Sequence, residues 1–206
     1  HPLWNAVAHL DDLEQARAAF DRMHGEHYLA HVHGTLYSSL FFLNSAMSCP
    51  TYDGGVGPVT EGQCYWAMVG GRHHDWDRTR TNIGGDEEAW GVSGGVQMAL
   101  SEAWRLGFAG SLERADITTG NPATSDGDRV QAAALLKTNW GPVSFAAAAF
   151  GGYGWFDTRR IIGLGGIATA EGEHEIAFGG VHARLAHVLA QGGGWYLRPM
   201  IDLNAT

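Results

Sequence analysis

The sequence predicts a mainly β protein: an antiparallel up-and-down transmembrane β-barrel, about seven strands of it present, with an N-terminal α-helix threading the lumen. Three observations carry this prediction. From about residue 65 the chain alternates with period two between a large apolar face and a small or polar one. The connections between those segments alternate long and short. Tryptophans collect at both ends of the apolar faces.

The totals are compatible with this class and exclude others. The 206 residues include 30 Gly and 8 Trp, and hydrophobic residues make up 45%. Glycine at that level without a collagen period suggests closely approaching β-structure. A net charge of −9 argues against a nucleic-acid partner. His1-Pro2-Leu3 lacks the basic start and apolar run of a signal peptide, and since the chain does not begin with Met this carries no weight.

Residues 1–25 read as a charged helical linker. Ala6, Leu10, Leu13, Ala16, Phe20 and Met23 recur at spacings of three and four, and acidic and basic residues fill the gaps. Residues 26–64 read as a second helix and a connecting loop. Between Glu26 and Asp53 there is no Asp, Glu, Lys or Arg, only three histidines. A helix from about Glu26 to Met47, ending before Pro50, is roughly 30 Å long at about 1.5 Å per residue. That length fits a hydrocarbon core and a barrel lumen equally. His27, His31, Ser38 and Asn44 are poor lipid neighbours and favour the lumen.

Residues 65–206 carry the strands, at about 65–76, 88–100, 104–115, 128–140, 142–156, 174–190 and 194–205. Trp90, Val92, Val96 and Met98 alternate with Ala89, Ser93 and Gln97. Trp104, Leu106, Phe108 and Leu112 alternate with Arg105, Gly107, Ser111 and Glu113. Unlike faces require unlike environments. The long connections are residues 77–88, 116–127 and 157–173, and the short ones lie near 101–103, 141 and 191–193. Long outer loops and short periplasmic turns mark a membrane barrel. Trp66, Trp104, Trp140 and Trp195 fall at the short-turn ends, and Trp76, Trp90 and Trp155 at the long-loop ends. All seven are expected to face lipid as interfacial girdles. Arg105, Glu113, Arg129, Lys137, Arg198 and Asp202 lie on the polar faces and are expected to line the pore. On the lipid face each would cost about 2–4 kcal/mol at midplane. The first strand starts at a short-turn end, so the helix N-terminus and whatever precedes it lie outside.

Cys49 and Cys64 are fifteen positions apart. In an oxidising compartment they close a small loop, and in a reducing one they stay free thiols. The membrane reading makes the disulfide the expectation.

With those residues placed, essentially the whole chain resembles the translocator domain of an autotransporter (type V secretion). The resemblance lies in the helical step around His24-Gly25-Glu26-His27-Tyr28, in YWAMVGGR from Tyr65, in AWGVSGGVQMAL from Ala89, in WRLGFAGSLERADI from Trp104, and in GWYLRPMIDLNAT from Gly194. It implies a twelve-stranded barrel in the outer membrane of a Gram-negative bacterium. The helix filling that barrel follows a passenger carried to the cell surface. It also implies outer-membrane lipid, the passenger and the barrel assembly machinery as partners, with no cofactor. Seven strands would leave open edges in lipid, so the sequence is expected to be part of a longer chain.

No catalytic, cofactor or metal residue is assigned. His27 and His31 have zinc-binding spacing but lack a third ligand. Some autotransporters cut the lumen helix at an Asn-Asn pair, whereas here Asn44 precedes Ser45. Gly91-Val92-Ser93-Gly94-Gly95 lies within a strand and is no nucleophile elbow. An outer-membrane enzyme or porin-like channel is the alternative. The acids Asp86, Glu87, Asp126 and Asp128 have no His or Ser at a recognisable spacing. A soluble ligand-binding barrel would have to enclose the charges in a small interior.

Overall fold

The computed structural model describes residues 27–47, 49–51, 60–79, 83–120, 123–164, 167–192 and 195–206, with Asp12 and Gly25 singly. The helical reading of residues 3–23 lies outside them. One helix, α1 (His27–Ala46), precedes the strands. A two-residue ladder joins β1 (Pro50–Thr51) to β2 (Thr60–Glu61). Then come β3 (Cys64–Trp76), β4 (Gly85–Ala99), β5 (Trp104–Thr119), β6 (Ala123–Trp140), β7 (Val143–Leu164) and β8 (Ile167–His187). A small hairpin, β9 (Ala190–Gly192) with β10 (Trp195–Leu197), leads to β11 (Met200–Ala205).

The main sheet has seven antiparallel strands in the order β11-β8-β7-β6-β5-β4-β3. Apart from β8 and β11, which the β9–β10 hairpin separates, neighbours in the sheet are neighbours in sequence, as in a barrel wall, but β3 and β11 do not meet and the sheet is not closed. No helix among the described residues is long and apolar enough to cross a membrane, and α1 packs on one face of the sheet.

The alternation read from the sequence is the burial alternation of the sheet. In β5, Phe108 and Leu112 are exposed on the outer face, whereas Gly107 and Ala115 are buried beneath the helix. Trp104 and Trp140 lie edge to face with centroids 6.5 Å apart at the short-turn end. At the other end Tyr153 and Trp155 are 6.2 Å apart. Trp90 pairs across the ladder with Arg114, ten positions from Trp104. That separation is about 33 Å along the strand, or about 25 Å at a barrel tilt near 40°, the height of an outer-membrane apolar band.

Two expectations are corrected. Two of the three long connections, 116–127 and 157–173, are mostly strand: β5 and β6 stay paired to Thr119↔Ala123, and β7 and β8 to Leu164↔Ile167. Beyond the tryptophans the outward positions Thr118, Thr124 and Asp126 are polar and exposed while the inward Ile117 and Ser125 stay buried, so the apolar outer face disappears while the backbone ladder continues. Polar composition there looks like loop. The second correction concerns Trp66 and Trp76, which turn toward the helix. Each lies opposite a glycine, Trp66↔Gly95 and Trp76↔Gly85. A Cβ on Gly95 would stand 2.8 Å from Trp66 Nε1, and one on Gly85 2.8 Å from Trp76 Cζ2. The indoles fill the space those glycines leave. The side chain of Trp195 lies outside the described residues.

Candidate functional site

The surface between α1 and the sheet is the site, and its composition is unusual. The sheet-facing positions of α1 are His27, Ala30, His31, Gly34, Thr35, Ser38, Ser39, Phe42, Leu43 and Ala46. The opposite stripe carries Tyr28, Leu29, Val32, Leu36, Tyr37, Leu40 and Phe41, all exposed. Hence the small and polar residues are buried and most of the apolar ones are not. A helix seated on a polar wall needs polar partners there, since each buried polar group without one is costly.

The wall supplies them as four charges on four adjacent strands. Arg72 (β3) pairs with Glu87 (β4) and Glu113 (β5). Arg129 (β6) donates from Nη2 to Glu87 Oε2 at 2.8 Å and from Nη1 to Glu113 Oε1 at 2.8 Å. Two guanidinia and two carboxylates sum to zero, and Arg129 and Glu87 are fully buried. The Arg129 guanidinium also lies 5.1 Å from the centroid of the Phe156 ring. Buried charges persist only when paired and hydrogen-bonded in this way.

Two helix positions fit this quartet. Gly34 leaves room for it: a Cβ there would stand 1.6 Å from Glu87 Oε2 and 2.8 Å from Arg129 Nη2. One turn on, Ser38 donates to Glu113 Oε1 at 3.1 Å and accepts from Gln131 Nε2 at 2.8 Å.

The ends of α1 are held differently. Near its N-terminus, His31 Nε2 lies 3.1 Å from Ser125 Oγ, which lies 2.6 Å from Thr158 Oγ1. The His31 ring meets His174 at 4.2 Å and Phe156 at 4.7 Å. His27 is buried beside it. Near the C-terminus, Phe42, Leu43, Ala46 and Met47 pack on Ala133, Leu135, Ala146, Ala148 and Phe150, joined by Trp66 and Phe178. Lys137 donates from Nζ to Met47 O at 2.7 Å. A cation on the last carbonyls answers the negative end of the helix dipole. Cys49 and Cys64 are joined in a disulfide just beyond.

The remaining positions expected to line a pore are spread along the sheet. Arg105 lies directly across from Lys137 on the helix face. Arg184 donates to Asp202 at 2.7 Å and to Asn44 Oδ1 at 2.8 Å, linking β8, β11 and the helix. Arg198 donates to Ser144 Oγ at 2.6 Å. Arg72, Gly34 and Gln131 were not singled out from the sequence, and Glu87 was named only among the acids of the enzyme alternative. Glu87 falls in a stretch that reads as loop, although it shares strand parity with the buried Ala89. Among the described residues no group of three or more His, Cys, Asp or Glu is arranged to hold a metal ion.

A helix seated on the polar face of an antiparallel meander whose outer face is apolar and tryptophan-edged is the arrangement of a truncated β-barrel wall. The family model described as autotransporter beta-domain matches residues 65–206. The chain belongs to the autotransporter family, and it is the outer-membrane translocator domain of an autotransporter. No curated protein matches it.

Proposed function

We propose that this domain holds the tail of its exported passenger as a plug, with α1 seated in the barrel at one axial position and the passenger outside the cell. The observation that carries the reading is the fit of Gly34 against the Glu87–Arg129 pair, with Ser38 on Glu113. A lumen open only to water would have no need of a glycine-sized gap facing a buried carboxylate. Direction follows from the ends. The helix C-terminus meets Lys137 near the short Trp140–Val143 turn, and the N-terminus meets Ser125, Phe156 and His174 where the hairpins extend past the tryptophans. If the extended hairpins face outward, the passenger emerges outward.

The same reading gives the exposed apolar stripe of α1 a role. Further strands closing the sheet between β3 and β11 would cover Leu29, Val32, Leu36 and Leu40. Closure by the barrel assembly machinery would also remove both sheet edges from lipid. The reading assigns no catalytic residue and no cofactor. Protease added to intact cells making the full-length protein tests it. Passenger cleavage with the barrel protected supports the reading, and a passenger resistant until the outer membrane is permeabilised contradicts it.

A further inference from the structure

The end of α1 is fastened to the barrel wall more firmly than packing requires. Cys49 is buried two residues after Met47, and its disulfide partner Cys64 is the first residue of β3. Cys64 stands opposite Gln97 in the ladder, and Gln97 Nε2 donates to Gly62 O at 2.6 Å. The β1–β2 ladder, Pro50↔Glu61 and Thr51↔Thr60, lies within the closed loop. The disulfide therefore ties the helix exit to the wall strands β3 and β4.

Chain lengths show what this bond controls. From Cys49 to Cys64 there are fifteen residue steps. Extended, such a segment reaches about 50 Å at roughly 3.3–3.6 Å per residue. The helix is about 30 Å long, so without the bond the connection has more slack than the helix has length. Among the described residues the connection pairs with itself only in a ladder of two residues, which is too short to hold that slack. With the bond in place, the Cα atoms of Cys49 and Cys64 are 6.2 Å apart and the slack is gone.

We propose that the Cys49–Cys64 disulfide is a redox-controlled tether that fixes the plug helix in the lumen, and that reducing it frees the helix to slide outward along the barrel. This rests on the plug reading above. Closing the bond joins the two Sγ atoms and releases two protons and two electrons. The electrons pass by thiol–disulfide exchange to a disulfide-bearing oxidant of the compartment, and a dithiol reductant returns them. Gly34, Ser38 and Lys137 then set where the helix sits, and the disulfide sets whether it can leave.

Planar-bilayer conductance of the full-length protein tests the tether, with thiol alkylation confirming the redox state. The oxidised protein is expected to stay closed, and dithiothreitol to raise its open fraction about tenfold or more, a shift on the scale of a loop constraint of this size. The C49S/C64S variant is expected to open without reductant and to ignore dithiothreitol. Should that variant fail to fold, reduction of the folded wild-type protein still decides the matter. A reduced protein as closed as the oxidised one overturns the tether. An oxidised protein that conducts freely overturns the plug reading itself.

Discussion

Gly34 and Glu87 occupy almost the same space: a methyl group on the glycine would lie 1.6 Å from the carboxylate oxygen. The smallest residue of the helix is placed where the wall carries a fully buried acid. Gly34→Val therefore has to displace either the helix or the quartet. Overpacking of this kind costs about 1–3 kcal/mol. Urea unfolding of the refolded full-length protein in micelles should show the loss. Thr118→Ser on the exposed face of β5 serves as the comparison and should change little in the same assay.

The charge quartet predicts a coupled pair. Arg129→Met leaves Glu87 and Glu113 to share Arg72 in a buried site, a loss of about 3–5 kcal/mol. Adding Glu87→Gln removes the uncompensated charge and should restore at least half of it. The cycle is measured by the same unfolding transition, and additive losses would mean that the two residues act independently.

The tryptophans divide into two sets. Trp90, Trp104, Trp140 and Trp155 are on the outer face, whereas Trp66 and Trp76 face the helix. Brominated phospholipids quench indoles that touch acyl chains. Trp104→Phe should lower the quenchable fraction of the fluorescence, and Trp66→Phe should leave the quenched signal unchanged.

Much of this arrangement was legible in the sequence where the environment differs between the two faces of a strand. Phe108, Leu112 and Leu136 read as outward because one face of the sheet is apolar and exposed and the other is the polar wall under the helix. The same rule gave Arg105, Glu113, Arg129 and Lys137 their side of the sheet. It failed in β3, where Tyr65, Ala67, Gly71, His73 and Asp75 make no clear apolar face against Trp66, Met68, Arg72 and Trp76. It failed again in the outer hairpins, where Thr118, Thr124 and Asp126 are wet and still paired. Glu87 was hidden because its neighbours in sequence, Asp86 and Glu88, make a polar run, although Glu87 itself is buried beneath the helix. The histidines and serines of α1 signalled a polar seat. That its apolar residues form the opposite stripe shows only once the helix is set on the wall.

Lys137 caps the helix through Met47 O. Lys137→Met removes a charge-assisted hydrogen bond worth about 1 kcal/mol at a helix C-terminus. Hydrogen exchange of the amides in the last turn of α1 should then quicken about fivefold, with those near Gly34 unchanged. Uniform quickening along the helix would mean that Lys137 holds the whole element and not its end.

The central claim is that the helix sits in the barrel at one axial position. Paired cysteines measure this directly in the full-length protein in cells with the Cys49–Cys64 disulfide kept in place. Ser38 and Gln131 touch through Oγ and Nε2 at 2.8 Å, and His31 and Ser125 through Nε2 and Oγ at 3.1 Å. The account predicts that S38C/Q131C and H31C/S125C each form an internal disulfide, and that the crossed pair S38C/S125C does not. Efficient crosslinking of the crossed pair, or none in either matched pair, would contradict a fixed seat.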